Sequence, residues 1–100
     1  MTALQRRVLG HVTRNGDAFA LAGQPAHGVF SLASFGTMRL YLPVSTLDAM
    51  VPPYVLCLVG QATTAVEGDP VTWNGRSLAV RRVVEARWGG VVAGRLLVLG

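Results

Sequence analysis

The sequence predicts an all-β fold, a small antiparallel β-barrel or sandwich of six to seven strands with a short N-terminal helix. Three observations predict it. Short apolar stretches recur along the 100-residue chain, turn residues separate them, and only the N-terminal segment has helical periodicity. One hundred residues suit a single barrel domain over residues 1–100, and an apolar content of 51% is enough for a packed core.

The N-terminal segment has the spacing of an amphipathic helix. Leu4, Val8 and Val12 recur every four residues and therefore share one helical face. Because glycine weakens a helix interior, Gly10 is expected to limit this helix to two turns. We therefore expect a helix or arm over residues 1–11.

The first half of the predicted barrel begins with an Asn-Gly pair. Asn15-Gly16 predicts a type I′ turn, since both central residues of that turn need positive φ. Strands are expected over 17–22 and 27–31, with a turn between them. A loop over 32–37, a short strand over 39–42 that ends at Pro43, and a loop with one helical turn over 45–53 should follow.

The second half contains the strongest strand and hairpin patterns. Residues 54–59 are continuously apolar, as in a strand that is covered on both faces. Asn74-Gly75 predicts a second type I′ turn, between strands 70–73 and 76–87. A bulge near Arg81-Arg82 would keep the apolar side chains of the long strand facing inward. Trp88-Gly89-Gly90 predicts the turn into a last strand over 91–99.

Charged residues are scarce, at 14% of the chain, and this suggests either an unusually apolar surface or one that a partner covers. All nine basic residues are arginine, and the formal net charge is +4. Arginine suits contacts with carboxylate or phosphate groups. No apolar stretch is long enough to cross a bilayer, and no secretory signal is expected, so the sequence predicts a protein of cytosolic origin without a membrane partner.

No catalytic or metal-binding pattern is present in the sequence. The five acidic residues are spread singly, and His11 and His27 have neither a cysteine nor an acid at ligand spacing. The lone Cys57 lies in an apolar strand, where an inert buried thiol is expected. We therefore expect no cofactor, no metal ion and no enzyme activity.

One cluster of residues keeps nucleic-acid binding open as an alternative. Small barrels bind single strands with aromatic platforms and a basic groove. Two tryptophans and four arginines fall close together in this sequence: Trp73, Arg76, Arg81, Arg82, Arg87 and Trp88. The opposing interpretation places Trp73 in the core and the paired arginines in solvent or at an interface.

Residues 67–80 carry a resemblance to a known family. The run Glu67-Gly-Asp-Pro-Val-Thr-Trp-Asn-Gly-Arg76, followed by Leu78-Ala-Val80, resembles a glycine–aspartate hairpin segment of the head–tail joining proteins of tailed bacteriophages. These proteins are also called head-completion or stopper proteins. Gly28-Val-Phe30 resembles the "G-V-F" strand of that family. Residues 40–43 and 53–56 resemble the strands before its turn, and Gly89-Gly90 with the apolar last strand resembles its ending.

The resemblance covers residues 12–99 and implies a structural virion protein of the neck between head and tail. Such a protein is a β-barrel that assembles in the host cytoplasm as a ring of six or twelve copies. It seals the DNA channel after packaging and docks the tail, so its partners are portal or adaptor proteins, tail terminator or tail tube proteins, and packaged DNA bound without sequence specificity. A tail terminator or tail tube relative is a further alternative. The segment after the "G-V-F" strand is short here, which leaves residues 45–53 and 61–67 as other candidates for the channel loop.

The resemblance also implies roles for individual residues. Arginines are expected to face the DNA channel or a neighbouring subunit, and the candidates are Arg39, Arg81, Arg82 and Arg87. Acidic residues on loops are expected to face partners, and the candidates are Asp48 and Glu67. The remaining candidates are structural turn residues, with Gly68 at positive φ and Asp69 capping its turn: Asn15, Gly16, Gly68, Asp69, Asn74 and Gly75.

Overall fold

Six antiparallel strands close into a barrel in the order β1-β2-β3-β6-β5-β4, and a helix precedes them. The computed structural model describes residues 1–100 except for the side chain of Trp88. The all-β prediction with a short N-terminal helix is confirmed. The elements are α1 Ala3–Asn15, β1 Asp17–Leu21, β2 Gln24–Ala33, α2 Phe35–Met38, α3 Val44–Asp48, β3 Tyr54–Gly60, β4 Pro70–Trp73, β5 Arg76–Trp88 and β6 Val91–Leu99.

Helix α1 is longer than the two turns expected from Gly10. It starts with a capping box, in which Thr2 Oγ1 accepts from the Gln5 amide at 3.1 Å and Gln5 Oε1 accepts from the Thr2 amide at 2.8 Å. The helix continues through Gly10 to Asn15. Packing against the barrel explains this extension, since Val12 lies beyond the glycine and is buried with 3% of its surface exposed.

The type I′ turn predicted at Asn15-Gly16 is wrong. Asn15 ends α1, and its side-chain Nδ2 donates to the His11 carbonyl at 3.2 Å. Gly16 has an extended backbone with φ of −86°, and its amide donates to the Val12 carbonyl at 2.8 Å. The turn predicted between the strands over 17–22 and 27–31 does form, at Ala22-Gly23, where both φ angles are positive. Helix packing thus prevails over the local turn preference of the Asn-Gly pair.

The turns of the second half lie where they were predicted. Asn74 and Gly75 have φ of 52° and 74°, and Gly89 and Gly90 also have positive φ. These values match type I′ hairpins. The register of β5 against β6 shifts between Val80 and Arg82, so the predicted bulge is confirmed.

The turn before β4 is also built as predicted. Gly68 has φ of 94°, a left-handed conformation that favours glycine. Asp69 Oδ2 accepts from the Val66 amide at 2.9 Å and so caps the turn. These two residues are therefore structural.

Residues 39–42 do not form the predicted strand. They lie within the connection between β2 and β3, residues 34–53, which contains the short helices α2 and α3. Ser34 caps α2, because its Oγ accepts from the Thr37 amide at 3.1 Å. Leu42 is buried, whereas Leu40 is exposed, as the backbone turns here instead of extending. Leu42 belongs to a second buried cluster outside the barrel: Met38, Leu42, Leu47, Met50, Tyr54 and Val98.

The barrel interior holds the main core. Its buried members come from every strand except β2: Phe19, Leu21, Val55, Cys57, Val59, Val71, Val80, Leu97 and Leu99. The seam between β1 and β4 has only two paired positions. Beside this seam Phe30 stacks on Trp73 with ring centroids 4.2 Å apart, and Phe19 meets Phe30 edge-on at 5.0 Å. These aromatic contacts close the interior where backbone pairing is short.

Strands β3 and β6 are covered on both faces, as predicted for residues 54–59. The second cluster lies over their outer face at one end, and α1 lies over it at the other. Gly60 and Gly94 are paired across these strands beneath α1. A Cβ atom at Gly94 would lie 2.8 Å from Val8 Cγ1 and 2.9 Å from the Val59 carbonyl oxygen. Glycine at this position therefore allows the helix to approach the sheet closely.

Replacement of Gly94 by Ala tests this close approach. The added methyl group has no room, so overpacking should lower the free energy of unfolding by about 1–3 kcal/mol. Gly36→Ala is the matched control, because Gly36 is exposed within α2 and the nearest atom to its added Cβ is 3.8 Å away. The control should leave stability unchanged or raise it by about 0.5–1 kcal/mol. Denaturant unfolding measures the free energy of unfolding of both variants. Equal stability of the two variants would contradict the close packing of α1 against Gly94.

Candidate functional site

Arg81 and Arg82 lie at the bulge of β5, and both are exposed. Arg81 is the extra residue of the bulge, and its Nε donates to the Gly100 carbonyl at 3.2 Å. Arg82 Nη1 donates to the Tyr41 carbonyl at 2.6 Å. Both guanidinium groups are thus tied to backbone oxygens, and neither is neutralised by an acid in the described part of the chain.

Arg39 belongs to the same end of the barrel. It caps the C-terminus of α2, two residues before the Tyr41 carbonyl that Arg82 contacts. Its side chain is exposed and forms no hydrogen bond or ion pair with the side chains that the structure describes. Three of the four candidate arginines therefore lie near the α2–α3 connection. The structure does not bring Arg87 to this group, because Arg87 lies near the far end of β5.

Arg87 is part of an ionic cluster at the end of the barrel that α1 covers. Its Nη2 lies 2.8 Å from Glu85 Oε1, and Arg95 Nη2 lies 3.4 Å from Glu85 Oε2. The hydrogen bond from Arg87 is the main cause that lowers the pKa of Glu85 below its usual value of 4.5. Both carboxylate oxygens of Glu85 therefore have partners within the chain.

Arg95 is a structural residue that the sequence reasoning missed. Its Nη1 donates to the carbonyls of Gln61 and Thr63, so it holds the start of the β3–β4 loop over the barrel end. Its side chain is only 15% exposed. The signal was available in the sequence, because Arg95 stands two residues before Leu97 in the inward-facing alternation of β6. A charged residue at such a position needs internal partners.

The acidic candidates Asp48 and Glu67 are both exposed and lie on different parts of the molecule. Asp48 ends α3, and Glu67 precedes Gly68 in the β3–β4 loop. No arginine or histidine side chain of the described part lies within 4.0 Å of either carboxylate. Both are therefore available to a partner, and their partner-facing role stays a prediction.

Apart from Val66, the exposed large apolar side chains of the described residues fall into two groups. The first, the N-terminal surface, consists of Met1, Leu4 and Leu9 around α1 with Val91 at the start of β6. Leu4 and Val91 line one shallow groove, so the helix and the strand contribute to the same surface. The second, the connection surface, includes the most exposed side chains, with Leu40 at 75% and Val51 at 82%, and its members are Leu32, Phe35, Leu40, Val44 and Val51.

These two surfaces lie at opposite ends of the β3–β6 pair. The N-terminal surface is next to Gly60, where β3 ends, and the connection surface is next to Tyr54, where β3 begins. Six residues of extended strand separate these positions by about 20 Å. The side chains that the structure describes thus form two distinct apolar surfaces rather than one continuous patch.

The groups with catalytic potential are buried or dispersed. Burial raises the pKa of the Cys57 thiol to about 12, and such a thiol is unreactive at neutral pH. Among the side chains that the structure describes, no three His, Cys, Asp or Glu residues could hold a metal ion together. No helix among the described residues is long and apolar enough to cross a bilayer.

Of the two tryptophans suggested for nucleic-acid binding, Trp73 makes contacts within the protein. Trp73 packs against the barrel core and stacks on Phe30 with nearly parallel rings. One face of its ring is therefore already covered by a protein ring. The Trp88 side chain, the other aromatic of that prediction, lies outside the described residues.

The Glu85 cluster generates a pH prediction. Because the folded pKa of Glu85 is depressed, the cluster stabilises the protein above the unfolded pKa near 4.5 and loses this contribution as pH falls below that value. Glu85→Gln should remove this part of the acid dependence of the melting temperature. Glu67→Gln is the control, since no basic side chain of the described part contacts Glu67. Identical acid profiles for Glu85→Gln and the parent chain would show that the cluster contributes nothing to stability.

In comparisons with known proteins, no protein-family model matches the chain, and no curated protein or solved structure is significantly similar to it.

Proposed function

We propose that this chain is a structural protein of the neck of a tailed bacteriophage, a head–tail connector or stopper that forms a ring between the portal or adaptor and the tail. In this role the ring seals the DNA channel after packaging and offers the tail its docking surface. The proposal extends the resemblance of residues 12–99 to that family. It requires no catalytic residue and no cofactor.

The two separate apolar surfaces are the observation that carries the proposal. A cyclic ring is built from head-to-tail contacts, so each subunit needs two different surfaces that meet across every interface. The N-terminal surface and the connection surface provide such a pair, about 20 Å apart along β3. A low charge content of 14% supports the same interpretation, because interface cores are depleted of charged residues.

The β2–β3 connection is the proposed partner-facing element. Because residues 39–42 are not a strand, residues 34–53 form one insertion directly after the "G-V-F" strand. The insertion carries Leu40 and Val51 at its surface and Asp48 at the end of α3. Its apolar residues belong to the proposed ring contact, and Asp48 is the group proposed to face a neck partner. Arg39 and Arg82 supply positive charge beside it, which suits a position near packaged DNA.

The alternatives differ in what they require of the molecule. A single-stranded nucleic-acid-binding barrel needs accessible aromatic faces, and the stack of Trp73 on Phe30 counts against it. A tail terminator or tail tube relative would use the same kind of head-to-tail ring. A connector and a tail protein would occupy different positions in the particle, and electron microscopy of assembled particles distinguishes these positions.

Replacement of Leu40 by Ser tests the connection surface. Leu40 is 75% exposed, so the change should move the melting temperature little while it weakens the ring contact. Filled heads without tails should accumulate in a head–tail joining assay with the variant. Val66→Ser is the matched control, because Val66 is 66% exposed and lies outside both surfaces. Normal joining by the Leu40 variant, or particles with a lone asymmetric copy of this chain, would overturn the ring proposal.

Replacement of Arg39 by Ala tests the channel-facing charge. The purified protein should bind duplex DNA without sequence preference, and the loss of one phosphate contact should reduce the slope of log affinity against log salt by about 0.9. Filled heads assembled with the variant should leak DNA. Arg6→Ala, an exposed arginine on α1, should change neither property. Unaltered DNA retention together with an unaltered salt slope would assign Arg39 to a protein interface instead.

A further inference from the structure

Strand β5 has a neighbour on each edge only along its first part. Residues 76–79 pair with β4, which begins at Pro70 opposite Ala79. Residues 82–88 pair with β6 alone, and in the described part of the chain their backbone groups bond no other segment. We call the second edge of residues 82–88 the β5 edge. Because alternate residues of a strand direct their N–H and C=O groups to opposite edges, it presents a row of unpaired donors and acceptors.

The segments around the β5 edge lie elsewhere. The last backbone bond on this side joins the Gly68 amide to the Val80 carbonyl at 2.8 Å, before the edge begins. Helix α1 lies over β2, β3 and β6, and Gly100 pairs with Ala79. Most of the edge is accessible, and its exposed residues in the described structure are Arg82, Glu85, Ala86 and Arg87.

The unpaired backbone groups determine what kind of partner fits the edge. Residues 82–86 pair with residues 94–98 without a register shift, so this part of β5 has regular strand geometry. Donors and acceptors at strand spacing are matched by another extended peptide backbone, and addition of a strand to a free sheet edge is a recurring mode of peptide recognition. A helix or a nucleic-acid strand cannot supply the same alternation of N–H and C=O groups.

The charges on one face of the edge favour an acidic strand. Glu85 and Arg87 share this face, and the Glu85 carboxylate is bonded to the guanidinium groups of both Arg87 and Arg95. One negative charge thus stands against two positive ones, and the Arg87 side chain is 57% exposed. A second copy of this chain would bring the same positive excess and be repelled, whereas a carboxylate beside Arg87 would be attracted.

The other face of the edge favours aliphatic side chains. Val84 and Ala86 lie on this face, and Val84 is half-buried while Ala86 is exposed. Branched aliphatic residues on an added strand would pack beside them as cross-strand neighbours. The fitting segment therefore alternates aliphatic residues with polar ones.

We propose that the β5 edge binds an extended segment of a partner protein, which adds to the sheet as a further strand. An acidic residue of this segment lies beside Arg87, and its aliphatic residues lie beside Val84 and Ala86. The edge is a property of the single chain. Neither apolar surface of the proposed ring contains a residue of β5, so strand addition stands apart from the proposed position in a phage neck.

Titration of the full chain with synthetic peptides tests this strand addition. The probe is acetyl-Ser-Val-Glu-Val-Thr-Val-Ser-amide, and the comparison peptide has glutamine in place of glutamate. With the probe, amide chemical shifts of the labelled protein should change at residues 82–88, and hydrogen exchange should slow at alternate amides among them. The glutamine peptide should bind about tenfold more weakly, because it lacks the charge-assisted hydrogen bond.

Two N-methylated forms of the probe test the use of its backbone. One carries N-methyl groups on its three valines, and the other carries them on glutamate, threonine and the last serine. Only one of these alternate sets of N–H groups can face β5, so one form should bind at least about tenfold more weakly while the other binds as the probe does. Equal binding of the two forms would overturn the proposal.

Variants identify the charged contact independently of folding. Arg87→Gln leaves Glu85 with Arg95 and should weaken the glutamate peptide about tenfold, without a change for the glutamine peptide. Arg14→Gln, which removes one exposed charge on α1, is the charge-matched control and should bind both peptides as the parent does. Equal losses for the two peptides, or equal losses in the two variants, would contradict a carboxylate beside Arg87.

A last measurement separates a partner segment from a second copy. Sedimentation of the chain alone, with hydrogen exchange at residues 82–88, should show a monomer whose edge amides exchange rapidly. A dimer with those amides protected in the absence of peptide would assign the β5 edge to self-association and overturn the proposal.

Discussion

The burial of β3 and β6 on both faces is the constraint on which the rest of the structure depends. Their inner face supplies Val55, Cys57 and Leu97 to the barrel core, and their outer face supports α1 at one end and the α2–α3 connection at the other. Both attachments need a specific outer surface, with glycines beneath α1 and with Tyr54 and Val98 beneath the connection. The barrel thereby holds α1 and the α2–α3 connection in fixed positions on its outer surface.

Local signals in the sequence were sufficient where a turn or a strand is determined by its own residues. Asn74-Gly75 forms the predicted turn because the two flanking strands pair right up to it, with Trp73 opposite Arg76. Asn15-Gly16 carries the same signal and fails, because the preceding helix is packed on the sheet and Asn15 bonds back to His11. The strand predicted over residues 39–42 is absent for a related reason. Leu42 is buried in a cluster with distant Val98, and contacts of that kind are not visible in a local window.

The functional surfaces were less predictable than the fold. The sequence identified Arg81 and Arg82 correctly as exposed residues at a bulge, but it gave no indication that Arg82 would reach the Tyr41 carbonyl across the chain. Arg95 was passed over because its partners are backbone carbonyls of a loop, which composition cannot reveal. Sites of this kind depend on topology, whereas turn residues depend on local conformation.

The β2–β3 connection has a core of its own, formed by Met38, Leu42 and Leu47 against the outside of the barrel. The exposed residues of the same segment, such as Leu40 and Val51, have no part in either core. Substitutions at these exposed positions therefore leave the packing of the barrel interior unaffected. The exposed surface of the connection can therefore diverge during evolution independently of the scaffold, so related chains could keep this barrel while this surface changes.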